Sequence, residues 1–310
     1  MSQRIESADV VNLYQRQLSR DVRMQAQTLQ RFRQFVRPEA NYGAHMGEEI
    51  QFTKITNLRD RGRAINENEA VPVSKFDTSY YRIGWREHSN SVQISQRASL
   101  ISELCVGSMA FETLKNDAAQ TLDIVAAQPF INSPSVYTPM GTYGAKSAVI
   151  NHFSTPSLAT RPFQMYDLRR LVNYMKDIKV PTWNGTEKYI CIASRAALSG
   201  LFEDPEFIEQ AKYAAPDRLF KGEVGDVYGV KFIEEGNVLN TIPGGGGEMV
   251  FFGDDAVTEL EVYPLELQIR ESEDYGRTRA VRWVWMGGFG APWNFVQDQT
   301  TRIIRVGSSS

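Results

Sequence analysis

Cysteine is nearly absent from this chain: Cys105 and Cys191 stand 86 positions apart in 310 residues. Two such residues make neither a disulfide framework nor a CxxC metal or redox clamp, and they fit a reducing compartment. No apolar run approaches the roughly 18 residues that a membrane helix needs. The opening MSQRIESADVVN has no apolar core of the signal-peptide kind, so a soluble protein outside the usual secretory route is expected. Histidine is scarce as well: His45, His88 and His152 form no HExxH and no pair at helical spacing, and no metal is expected. Gly244–Gly247 is not followed by the Lys-Ser/Thr that cradles phosphates, and Gly287-Gly288-Phe289-Gly290 does not complete GxGxxG. There is no GxSxG elbow. Asp254, Asp255, Glu259 and Glu261 could supply an acid and a base, but solvated strand and turn charges explain them more simply. No catalytic residue and no cofactor is assigned, and the expectation is a protein that is not an enzyme.

The overall balance of 34 basic against 37 acidic residues hides an uneven distribution. Residues 1–40 carry seven basic and four acidic side chains, 200–274 carry five and eighteen, and 275–310 carry five and one. So acidic a stretch repels phosphate within a Debye length of about 8 Å. If nucleic acid is near, the ends of the chain face it.

Apolar residues Val11, Tyr14, Leu18, Val22, Leu29, Phe32 and Val36 recur every three or four positions, predicting a helical arm up to Pro38 with Arg16, Arg20, Arg23, Arg31 and Arg33 on its other face. Short alternating runs then predict strands at Ile50/Phe52, Tyr81/Ile83/Trp85 and Val92/Ile94. Between them lies the charged stretch 57–75, read as the tip of a two-stranded projection that is marginal on its own and wants a neighbour. A long helix is predicted over 99–127, closed by Pro129. A third helix follows between Pro162 and Pro181, then a turn at Trp183–Thr186, a strand over 188–193 and a short helix opened by Asp204-Pro205. The glycine-punctuated KGEVGDVYGVKFIEEGNV reads as a strand pair, and Gly244–Gly247 as a loop tip. Strands close the chain, with a hairpin at 274–277; in one of them Val281, Trp283 and Trp285 share a buried face. Helices and strands alternate without a βαβ rhythm, which argues for an α+β fold.

Basic arm, charged projection, long spine helix, acidic lobe and returning strands occur in an order that resembles the major capsid proteins of tailed bacteriophages, the Hong Kong 97 fold. The sharpest likeness runs from Tyr189 to Glu234, through YICIAS, LFEDPEFIEQAKYAAPDRLF and KGEVGDVYGVKFIEE, and is similar to the podovirus-type coat family. Gly222, Glu223, Gly225 and Gly229 hold its glycine motif; where relatives often carry His-Pro after the strand, this chain has Ala193-Ser194. The resemblance implies an N-terminal arm (1–45), an extended β-hairpin E-loop (46–95), a peripheral domain with the spine helix (96–162 and 264–310) and an axial domain (163–263). It implies a shell subunit forming hexamers and pentamers around double-stranded DNA, in a virion assembled in the host cytoplasm. Portal, scaffolding and decoration proteins would be its other partners; no membrane would be involved. Subunit contacts would fall on Lys54, Arg59, Arg61, Arg63, Glu67, Glu69 and Lys75 of the E-loop, and on the arm arginines, which could instead face the genome. Lys54 and Lys75 are also the lysines available for a covalent crosslink of the kind some such shells make. Two other readings stand beside it: an encapsulin-like compartment with protein cargo, and an enzyme using the carboxylates of 254–261.

Overall fold

The structure, a computed structural model, describes residues 31–39, 47–55, 58, 62–67, 70–76, 78–101, 106–141, 147–152, 159–214, 225–239, 246–273, 277–293 and 301–309. Two short apolar runs, YICIAS and GEMVFF, are buried along their whole length as β7 (Tyr189–Ser194) and β10 (Gly247–Phe252). Near-continuous apolar sequence is what a strand covered on both faces requires. They sit at the centre of a seven-stranded mixed sheet with β5 (Ser135–Met140), β6 (Ser147–His152), β8 (Asp226–Val227), β9 (Val230–Glu235) and β13 (Ile303–Ser308), in the order β6-β5-β13-β10-β7-β9-β8. Alternate residues serve opposite cores. Cys191, Ala193, Met249, Phe251 and Ile304 meet Leu168, Leu171 and Met175 of helix α3 (Met165–Asp177) and Leu198 and Leu201 of helix α4 (Arg195–Phe202). Ile190, Ile192, Val250, Phe252 and Ile303 meet Phe32, Phe35 and Phe130 on the other side. Gly247 is a strand residue and not part of a loop tip: a side chain there would strike the backbone of Ala197, so the close approach of α4 requires glycine.

The predicted long helix is present as α1 (Gln96–Ile101) and α2 (Val106–Ile131), with residues 102–105 outside the described set. At 1.5 Å per residue α2 spans about 39 Å, and a stripe of every fourth residue lets it serve two sheets. Leu114, Ala118 and Leu122 pack on Val281, Trp283 and Trp285, while Ala126 and Phe130 enter the core around Phe252. The prediction that Pro129 closes the helix fails, because the helix runs on to Ile131. The backbone bond forfeited at Pro129, a cost of about 3 kcal/mol, is opposed by the complete burial of Phe130, worth about 1.5–3 kcal/mol.

Trp283 belongs to a second sheet of four strands, ordered β1 (Arg37–Glu39), β11 (Thr258–Glu273), β12 (Thr278–Gly290), β4 (Arg86–Ser95). Asp117 of α2 accepts from the Trp283 indole at 2.8 Å and from the Asn90 amide at 2.9 Å, fixing the helix over β12 and β4. A separate pair, β2 (Glu49–Ile55) and β3 (Thr78–Gly84), forms the expected two-stranded ribbon. Arg86–Ser95, assigned to the ribbon by sequence, lies in the four-stranded sheet instead. The seven-stranded sheet draws β5, β6 and β13 from the stretches 96–162 and 264–310, and β7 to β10 from 163–263, so sheet membership crosses the division read from sequence.

The arm is not helical at its end. Asp123, buried on α2, accepts the backbone N–H groups of Arg31 (3.1 Å) and Arg33 (2.9 Å), and the chain turns in a single 3-10 turn, Arg33–Phe35. It then extends as β1, parallel to the start of β11. Pro38 is therefore a residue of an edge strand, where its missing N–H is tolerated. Phe32, Phe35 and Val36 are buried as their apolarity demands, but not at helical period. Replacing Asp123 by alanine removes the acceptor of two charge-assisted hydrogen bonds, so urea unfolding should show a loss of about 2–4 kcal/mol. An unchanged midpoint would mean that Asp123 does not hold the segment.

Candidate subunit-contact surfaces

The ribbon crosses the four-stranded sheet where glycines make room for it. A side chain at Gly288 would fall on the carbonyl oxygen of Gly84, and one at Gly290 would meet the Ile83 side chain at 2.7 Å. The Gly287-Gly288-Phe289-Gly290 run, without meaning as a phosphate loop, is thus the saddle on which β3 rests. Ile50 and Ile83 close the contact against Leu260, with Phe52, Tyr81, Trp85 and Val262 around them. Gly288→Val should push the ribbon off this seat and cost about 1–3 kcal/mol by overpacking, read as a lower Tm together with faster proteolysis between β2 and β3.

Further out, Lys54 is only 8% exposed and donates to the Pro292 carbonyl, with its ammonium 5.4 Å from the centre of the Trp293 ring. Arg302 lies over the same ring at 4.1 Å and pairs with Asp255 at 2.9 Å, and Asp255 also accepts from the Trp293 indole. Of the E-loop residues assigned to subunit contacts, Lys54 is thus held inside its own chain. Arg63, Glu67 and Lys75 are exposed, and Arg59, Arg61 and Glu69 lie outside the described residues. Sequence reading missed the apolar part of the projection. Ile55, Leu58, Ile65, Val71, Val73 and Phe76 all stand in solvent, Val73 at 91%. Val71-Pro72-Val73 was the available signal, an alternating pair stiffened by proline inside a polar stretch.

Arg33 binds Glu259 through two guanidinium nitrogens, the shorter contact at 2.7 Å, and so tethers the arm to β11 of its own chain. Arg16, Arg20 and Arg23 lie outside the described residues. Two of the four carboxylates weighed as an acid–base group are engaged within the chain: Glu259 holds Arg33, and Asp255 holds Arg302 and Trp293. Among the described residues no cluster of histidine, cysteine, aspartate and glutamate suits a metal ion. Cys191 is wholly buried, and burial pushes its thiol pKa up, the opposite of what a nucleophile needs.

The glycine motif is visible in part. Gly225 and Gly229 have φ of +64° and +73°, and with Tyr228 (φ +52°) Gly229 makes the two-residue turn joining β8 to β9. Arg169 of α3 lies over the Tyr228 ring and pairs with Glu206 of helix α5 (Pro205–Ala214), binding the hairpin to two helices. Asp204 opens α5 as expected, accepting from the Glu206 N–H, and the same carboxylate accepts from the Met165 N–H at the start of α3. Gly222 and Glu223 lie outside the described residues.

Neither a protein-family model nor a curated protein matches the sequence. Solved structures do match over nearly the whole chain. The head structure of Helicobacter pylori bacteriophage KHP40 superposes with a TM-score of 0.73 at 13% identity, covering 98% of each chain. The chain has an α+β capsid fold. The capsid of Ralstonia phage GP4 gives a TM-score of 0.69 at 14% identity over 96% of this chain and 95% of that one. The capsid of a native GTA particle gives 0.60 at 11% over 99% of both. At such identities the likeness is one of fold, and within that capsid fold the ribbon and its uncovered apolar residues become the feature to explain.

Proposed function

We propose that this protein is a major capsid protein, assembling with copies of itself as hexamers and pentamers into an icosahedral shell around double-stranded DNA. One observation carries the reading: in a chain with a capsid fold, a thin ribbon holds six large apolar side chains in water. Leaving such area exposed is unfavourable by about 25 cal/mol per Å², so covering these side chains stabilises whatever contact does it. Copies of the same chain supply the cover. Many weak contacts per subunit then close a shell through high effective concentration. The division into arm, E-loop, peripheral and axial domains belongs to this proposal, as do genome contacts by the basic arm and the absence of catalysis. Asp255 and Glu259, held by arginines and a tryptophan of their own chain, do not favour an enzyme built on the carboxylates of 254–261.

The protein expressed alone is imaged by negative stain and then by cryo-microscopy. Closed shells support the proposal, and particles from infected cells should be large and bear one unique vertex. A small closed shell without such a vertex would favour a cargo compartment. A stable, inert monomer in sedimentation at high concentration would overturn both.

A further inference from the structure

α2 serves two sheets, and a gap opens where it passes from one to the other. Leu122 still packs on the face of the four-stranded sheet that holds Trp283 and Trp285, whereas Ala126 and Phe130 already belong to the core of the seven-stranded sheet. Beneath the departing turn the sheet has little to fill the space. Gly287 has no side chain, and one placed there would strike the Trp285 ring and the Leu260 carbonyl oxygen. The result is a cavity of about 560 Å³ beside the root of the ribbon, bounded by Gln128 and Asn132 around the end of α2, by residues 287–291, by Trp293, and by Arg86 and His88 of β4. Cavities of roughly 300–1,000 Å³ have the size that holds a small organic molecule.

The walls are rich in donors. Arg86 stands opposite Gly287 and His88 opposite Trp285, and residues paired across antiparallel strands share a face, so both side chains lie on the α2 side of the sheet. They are the only ionisable members of the lining, and no carboxylate belongs to it. Arg86 makes no hydrogen bond or ion pair among the described residues. Its charge is felt instead by His88, whose pKa is lowered by burial and then by Arg86. The Trp285 ring lies against both His88 (5.7 Å) and Phe289 (5.5 Å), and its N–H is buried without a partner. Backbone acceptors at this end of α2 are taken: the Gln128 carbonyl accepts the Asn132 N–H, the Phe130 carbonyl the Ser133 N–H, and the Ile303 carbonyl the Ser133 hydroxyl. A guanidinium without a counter-charge, an imidazole and two side-chain amides, set beside an aromatic ring, suit an acid group joined to an apolar body.

We infer that this cavity binds a small organic anion, its phosphate or carboxylate head on Arg86 and His88 and its apolar body beside Phe289 and Pro129. The site stands apart from the shell reading, because a single folded chain supplies its whole lining.

Binding is measured by calorimetry on the full chain with phenyl phosphate and with benzoate, which separate the two heads, and with benzyl alcohol, which carries neither. At least one of the anions should bind and raise the Tm by about 3 °C at ten times its Kd, and benzyl alcohol should not. Arg86→Gln, at an exposed position, should leave the Tm of the free protein unchanged and weaken anion binding more than tenfold. Arg97→Gln removes an exposed cation beyond the far end of β4, about 30 Å along the strand, and should change neither. In proton NMR the imidazole signal that His88→Gln removes should titrate at higher pH once the anion is bound, because a neighbouring negative charge favours the imidazolium. Anions that bind no better than benzyl alcohol, or equally well to Arg86→Gln, would overturn the site, as would an unmoved His88 titration.

Discussion

Deleting Thr56–Ser74 should leave a folded, soluble subunit that makes no closed shells. β2 and β3 pair from Ile55 opposite Thr78 to Glu49 opposite Gly84, and the deletion leaves Lys75, Phe76 and Asp77 to join them. Three residues suffice for a hairpin connection. The described residues within the deleted segment are exposed, so no core contact of theirs is lost. Shortening the connection from 22 residues to 3 reduces the loop-closure cost by about 1–2 kcal/mol. Circular dichroism and thermal unfolding should therefore match or exceed the parent, while Lys54 keeps its seat on Pro292. Assembly should respond in the opposite direction. Without Val71 and Val73 each subunit loses a contact with its neighbour, and when contacts act through effective concentration, losing one of a linked set costs about 10²- to 10⁴-fold in avidity. Electron microscopy and sedimentation read this directly. Shells of normal size and yield from the deletion would show that the ribbon does not interlock subunits.

Much of the scaffold was legible because its signals are local. Alternation in RAVRWVWMG gave the buried face of β12, the apolar runs YICIAS and MVFFG gave strands, and Asp204-Pro205 gave the start of α5. Where the reading failed, a distant partner had overridden the local pattern. Phe32, Phe35 and Val36 fit a helical stripe well enough, but Asp123, some 90 positions away, takes the backbone N–H groups of Arg31 and Arg33 and turns the chain. Pro129 should stop a helix, yet the core around Phe252 rewards the residue after it. No periodicity reports either contact.

The contact surfaces were harder to read than the fold. Charge drew attention to Arg59, Arg61 and Lys54, whereas the structure puts Lys54 against Trp293 and leaves Val71, Val73 and Phe76 in water. The glycines of 287–290 were rightly read as structural, but their purpose, admitting the ribbon, needed the position of Gly84 and Ile83.

The largest effect on stability is expected at Asp167. Its carboxylate, wholly buried, accepts from both terminal nitrogens of Arg161, from the Tyr137 hydroxyl at 2.8 Å and from the Gln164 N–H at 3.1 Å. Arg161 is 1% exposed and also donates to the Met140 carbonyl, so the group ties β5 to the loop before α3. Burial, then the neighbouring Asp167 charge, push the Tyr137 pKa upward, and the phenol remains a donor throughout the neutral range. Asp167→Ala leaves the guanidinium buried without its counter-charge, which should cost about 3–5 kcal/mol. That is a large fraction of the stability of most domains. Arg161→Met should cost a similar amount by stranding the carboxylate. The double variant Arg161→Met/Asp167→Leu removes both charges, so its loss in urea unfolding should fall well short of the sum of the single losses. Additive losses would mean that the two side chains stabilise the fold independently, and the coupling claimed for this pair would then be wrong.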